Sequence, residues 1–139
     1  MVRIGRIIFG LAVLAGIGWA TAGSGQDQSG FAGNEVTPLI KVDLTGVANK
    51  QVIANIYEVP AGAMVPRHYH HGDEFHLVLS GEWAAEVEGR PMKNMKAGDS
   101  QYVERERWHG GKVVGNAPMR LLGLMIVDKD KPILEMANH

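Results

Sequence analysis

The chain contains no cysteine among its 139 residues. Disulfides, thiolate nucleophiles, zinc ribbons and iron–sulfur clusters are therefore excluded together. A bound metal would have to be held by His, Asp, Glu or backbone oxygen. Charge of either sign is not in excess: 14 basic against 15 acidic side chains give a formal −1, with no basic block. The electrostatic footprint of a nucleic-acid binder is missing, and no nucleic-acid partner is expected. Long hydrophobic runs are missing too. The apolar run Ile7–Ala20 spans 14 residues and is diluted by Gly10, Gly16 and Gly18, short of the roughly 20 that a spanning helix needs. What remains is ordinary for one globular domain, 45% hydrophobic and 21% charged. Histidine is scarce at six residues, yet four of them fall between His68 and His76. That clustering is the feature to explain.

The N-terminus reads as an address. Arg3 and Arg6 precede the apolar run, which ends in Ala20-Thr21-Ala22, a small-x-small pattern. Basic start, apolar centre and small-residue exit are the three parts of a secretory signal. Residues 1–22 are expected to be a cleaved signal peptide, sending the protein to the periplasm or outside the cell with no stable membrane anchor. The Gly/Ser/Gln-rich stretch that follows, residues 23–34, is expected to be a flexible leader. Residues 35–139 then form a single domain.

Within that domain, short apolar runs alternate with turn residues. The expected strands are Leu39–Leu44, Gln51–Val59, Met64–Tyr69, Glu74–Ser80, Trp83–Glu88, Gln101–Val103, His109–Val114 and Met119–Val127. Gly and Pro punctuate them at Gly46, Pro60, Gly62, Gly81, Gly89, Pro91, Gly98, Gly115 and Pro118. Many short strands at such spacing indicate an all-β sandwich or barrel. No segment after residue 22 carries a 3.6-residue apolar period. Trp83, Ala85 and Val87 share one face of their strand and Glu86 and Glu88 the other, the mark of a half-buried strand. Leu121–Val127 has no polar face, which suits a strand covered on both sides, by a second sheet or by a subunit interface.

The histidine stretch reads Gly62-Ala-Met-Val-Pro-Arg-His68-Tyr-His70-His71-Gly-Asp-Glu74-Phe-His76. His68 and His70 are two apart and point to one side of a strand. Together with Glu74, across a short hairpin, they can converge on one ion and leave positions open for water or substrate. A further imidazole, His109, follows downstream. His76 shares a face with Glu74 and is expected to point inward, either as an acid/base residue or as a satisfied interior histidine. His71 falls on the opposite side and is expected to be an exposed bystander. Ile53, Asn55 and Tyr57 share one face of their strand, but alternation does not say whether that face or the other lines the cavity. Tyr69 is expected to face away from the ligands. Tyr102, Trp108 and Met125 are expected in the core.

These residues resemble the cupin superfamily. Its first motif is Gly, five residues, His-x-His, three or four residues, Glu, six residues, Gly. Gly62, His68, His70, Glu74 and Gly81 meet every position. Its second motif places Gly, Pro, Gly, His and Asn at spacings that fall here on Gly98, Glu104, Glu106, His109 and Val113. The ligand position is kept and the turn residues are not. The Glu104–Arg107 run reads as a solvated rim. The resemblance covers roughly Lys41 to Val127. It implies a double-stranded β-helix, or jelly-roll β-barrel, with one divalent metal held inside by His68, His70, Glu74 and His109. It further implies an oxygenase-like, isomerase or lyase activity on a small organic molecule, with Fe(II) or Mn(II) favoured and Zn(II), Ni(II) or Cu(II) open. The alternative is a non-catalytic metal- or ligand-binding protein of the same fold. Proteins of this type and size are often homodimers, and a homodimer is expected here.

Overall fold

The computed structural model describes residues 34–137. The expected signal and all of the expected leader but Asn34 lie outside the described residues. No helix occurs among those described; ten strands do. They are β1 Glu35–Asp43, β2 Lys50–Val59, β3 Met64–Tyr69, β4 Gly72–Ser80, β5 Glu82–Val87, β6 Lys93–Lys96, β7 Ser100–Val103, β8 His109–Val114, β9 Met119–Asp128 and β10 Glu135–Met136. Two five-stranded antiparallel sheets result, ordered β1-β2-β9-β4-β7 and β10-β3-β8-β5-β6. This is the expected jelly-roll barrel.

Alternation decides which side chains enter it. In β5, Trp83, Ala85 and Val87 are buried while Glu82 and Glu86 are exposed. In β4, Glu74, His76 and Val78 go in and Phe75 and Leu79 stay out. β2 resolves the ambiguity left by its pattern, because Ile53 and Asn55 are buried and Tyr57 lines the interior cavity.

β3 and β4 are not the expected hairpin. They are consecutive but belong to opposite sheets, so His68 and His70 face Glu74 across the barrel. Gly72 makes the crossing close: a Cβ there would lie 2.1 Å from the carbonyl oxygen of Ile126, and only glycine permits that approach.

β9 is central in its sheet and pairs with β2 from Lys50↔Asp128 to Val59↔Met119. Leu121, Gly123, Met125 and Val127 are buried. Leu122, Leu124 and Ile126 are only half-buried, so this strand does not lie between two sheets as one expectation had it. Its outer side shares the sheet surface with Phe75 and Tyr102, and no other described element covers that surface.

The interior apolar residues form two clusters. One contains Val59, Val65, Val78, Trp83, Ala85, Met95, Val113, Met119 and Leu121; the other contains Ile53, Met125, Val127 and Ile133. Each fully buried side chain of this size is worth about 1.5–3 kcal/mol. Along β9 the first cluster ends at Leu121 and the second begins at Met125. Between them lies Gly123, opposite Asn55 and His76. The polar site occupies this break in the core.

Candidate metal centre

His68 and His109 are register partners on β3 and β8, with ring centroids 4.2 Å apart. His70 follows at the end of β3, its ring centroid 4.9 Å from that of His68. Glu74 enters from the opposite sheet. All four are buried, at 3–4% exposure. One ligand atom from each lies within 4.8 Å of every other. Donors about 2.1 Å from a shared ion stand roughly 3 Å apart when adjacent and about 4.2 Å when opposite. A slight contraction would bring this set onto one ion.

Each of the three imidazoles is oriented through its other nitrogen. The Nδ1 of His68 donates to the Pro66 carbonyl at 2.7 Å, that of His109 to the Arg107 carbonyl at 2.8 Å, and that of His70 to the Ile133 carbonyl at 2.6 Å. A backbone acceptor on Nδ1 fixes the tautomer that leaves the Nε2 lone pair for a metal. His70 Nε2, His109 Nε2 and Glu74 Oε2 are buried and make no aligned hydrogen bond, although the two nitrogens stand 3.2 and 2.9 Å from that oxygen. Buried polar atoms without partners are costly, and a cation among them would satisfy all three. The residues present fit a divalent ion.

Electrostatics agree. Burial, with His109 and His70 nearby, pushes His68 down to about 3, so it stays neutral and ready to ligate. Burial alone would raise the Glu74 carboxyl. The proximity of His76 and His70, with contacts from His109, reverses this and holds it well below the usual carboxylate range. Burial would likewise lower His70, but Glu74 beside it raises it instead.

His76 does face inward, as expected, and differs from the three imidazoles above. The Gln101 side-chain amide donates to its Nδ1 at 3.2 Å. Its proton therefore sits on Nε2, 3.1 Å from Glu74 Oε2. An Nε2 that carries a proton is not a ligand. Tyr57 stands on the same side. Its hydroxyl accepts from Asn55 Nδ2 at 3.1 Å, and burial together with the Glu74 charge raises its pKa above the ordinary phenol value. Tyr57 therefore stays protonated at neutral pH. Gly123 makes room for it: a Cβ there would lie 2.8 Å from the Tyr57 ring and 3.4 Å from Glu74 Oε1.

The cavity beside these groups measures about 30 Å³, enough for one or two water-sized groups. Its apolar wall includes Val59, Val65, Trp83, Met119, Leu121 and Leu134, and no Lys or Arg lines it.

Several residues stand elsewhere than the sequence suggested. Tyr102 is not core: it is 40% exposed and packs on Phe75 outside the barrel, because its position on β7 points outward. Trp108 is half-buried against Tyr69 and beneath Arg67. Met125 is fully buried, as expected. His71 lies outside the cluster but is not a free surface residue. Its two nitrogens contact Glu106 and Glu135 at 3.2 and 3.3 Å. The Glu104–Arg107 rim is half-exposed and pinned. Arg90 pairs with Glu104, and Arg105 donates to the His71 carbonyl at 3.0 Å and to Asp128 at 2.6 Å. Gln101, Ile133 and Leu134 were not anticipated as parts of the site. A period-two reading of β7 would have put Gln101 inward with Val103. Nothing local marks Ile133 or Leu134.

A model of the cupin domain matches residues 55–127, more than half of the chain and both stretches that supply the His/Glu cluster. The chain belongs to the cupin superfamily. Solved structures agree on the fold. This cupin is similar to the DMSP lyase DddQ from Ruegeria pomeroyi DSS-3, with TM-score 0.61 and 20% identity over 75% of this chain and 51% of that one. It is also similar to an oxalate oxidase in complex with the substrate analogue glycolate, with TM-score 0.60 and 19% identity over 76% and 55%. A cupin-like protein from Thermotoga maritima gives 0.59 and 22% over 76% of each chain. The chain thus spans about half the length of the lyase and the oxidase. No curated protein matches it.

Proposed function

We propose that this cupin is an exported metalloenzyme, oxygenase-like, that binds one divalent ion through His68, His70, Glu74 and His109 and acts on a small organic molecule. The observation that carries the reading is the set of three imidazoles held by backbone carbonyls with Nε2 facing a buried carboxylate. Such a nitrogen and oxygen set suits Fe(II) or Mn(II), and also Zn(II), Ni(II) or Cu(II). A bound ion would supply Lewis-acid or one-electron chemistry.

The protein's own residues do the rest. The imidazoles and Glu74 hold the site rigid. The apolar wall excludes water, and no Lys or Arg lines it, so the charge of an anionic group would be met by the ion alone. His76 Nε2 and the Tyr57 hydroxyl are proton-bearing groups on the cavity side, placed to give or keep a proton. A second reading, a non-catalytic holder of metal or ligand, is favoured by the small cavity, which as it stands admits little beyond water-sized groups.

Oxygen consumption by the metal-loaded protein, screened with small phenols, diketones and thiols, separates the two. Substrate-dependent uptake that His76→Ala diminishes supports the enzyme. Stoichiometric metal with no turnover across the screen supports the holder.

A further inference from the structure

Two of the three imidazoles are oriented by their own strand ends. His68 leans on Pro66 and His109 on Arg107, each two residues away. His70 is different, because its acceptor, the Ile133 carbonyl, is 63 residues distant and outside the matched cupin domain, which ends at residue 127. We propose that residues 131–137 are a positioning clasp for the metal centre, in which the Ile133 carbonyl sets the His70 ring and Leu134 walls the cavity.

The segment is built to hold that place. Ile133 is 7% exposed and packs with Ile53, Met125 and Val127. Past Leu134, β10 pairs with β3 itself, Glu135 opposite Tyr69 and Met136 opposite His68. The Ala137 amide donates to the Arg67 carbonyl at 3.1 Å, and Glu135 reaches His71 Nε2. The clasp therefore grips the ligand-bearing strand on both sides of His70. An Ile side chain anchors the backbone whose carbonyl does the orienting. This arrangement couples the last described strand to the geometry of one proposed ligand. The partners that orient metal-bound histidines typically contribute 10–100-fold to affinity.

The proposal rests on the metal-binding reading, and its test has one arm that does not. In the metal-free full chain, 15N-edited NMR should show a downfield, slowly exchanging His70 Nδ1–H, and truncation after Asp130 should abolish it while leaving those of His68 and His109. Persistence of the His70 signal in the truncated chain overturns the clasp. In the second arm, Zn(II) competition against a chromophoric chelator should show affinity 10–100-fold weaker after truncation, and unchanged affinity overturns the clasp. If the truncated chain does not fold, Ile133→Ala replaces it. That variant should exchange the His70 Nδ1–H faster and bind Zn(II) more weakly than wild type; wild-type values for both overturn the proposal. A wild-type chain that takes up no Zn(II) sinks the metal reading, and the NMR arm then decides the clasp alone.

Discussion

Nε2 of His76 lies 3.1 Å from Oε2 of Glu74, yet His76 is not equivalent to the imidazoles on the other side of that carboxylate. Its Nδ1 accepts from Gln101, whereas His68, His70 and His109 each donate from Nδ1 to a backbone carbonyl. The protons are thus distributed oppositely, and the difference separates the candidate metal ligands from a proton-bearing neighbour.

His76→Ala should therefore keep its metal. At saturating metal the variant is expected to hold as much ion as wild type, with affinity weakened by roughly 10–100-fold through loss of the contact to Glu74. Elemental analysis after gel filtration reads the stoichiometry. Loss of the ion would make His76 a ligand and contradict the assignment.

Gly123→Ala should disturb the site from below. The added methyl would stand 2.8 Å from the Tyr57 ring and 3.4 Å from Glu74, closer to the ring than packing tolerates. A loss of about 1–3 kcal/mol in urea denaturation is expected, as for other overpacked cores, together with weaker metal binding. Wild-type stability and affinity would show that the ring moves aside freely.

Glu106 occupies the place of the motif's inner Gly and has φ 58°, the left-handed region that glycine adopts without strain. Its amide donates to the His70 carbonyl at 2.9 Å, so the turn is retained without the residue that would make it easily. Glu106→Ala and Glu106→Gly both lose the contacts to His71 and Arg105, but only the second relieves the backbone. The Gly variant should be about 1 kcal/mol more stable than the Ala variant. Denaturation curves showing the reverse order would contradict this.

Asp128 accepts from Lys50 and from Arg105. These hydrogen bonds, from Arg105 first and then Lys50, hold its carboxyl well below the usual range. A depressed carboxylate adds stability above its unfolded pKa of about 3.9, and that share is lost as pH falls toward the folded value. The melting temperature of Asp128→Asn should lie below that of wild type by a constant margin from pH 8 to about 5. The margin should close below about pH 4. A margin independent of pH down to pH 2 would contradict the ion-pair account.

Much of this was legible in the chain itself. The inward face of β5 follows from Trp83, Ala85 and Val87, and the cluster of His68, His70, Glu74 and His109 follows from the resemblance of their spacing to the cupin motifs. What was not legible depends on which sheet a strand joins. His70 and Glu74 are four residues apart and read as a hairpin, but the chain crosses between sheets at Gly72. β6 escaped notice because Met95 is the one buried residue in Lys93–Lys96, too short a run for alternation to show. β10 and the Ile133 carbonyl escaped because their partners are on β3 and at His70 just past it, more than 60 residues earlier. Tyr102 misled because an aromatic on a short strand reads as core, while its register partner is the outward Phe75.

The central claim is that three imidazoles and one carboxylate hold a single divalent ion. Metal analysis of the purified chain beside a His68→Ala/His70→Ala double variant tests it most directly. The account predicts about one ion per wild-type chain and none in the variant, with circular dichroism of both unchanged. A variant that keeps stoichiometric metal, or a wild-type chain that binds none when offered Fe(II), Mn(II) and Zn(II), would contradict it.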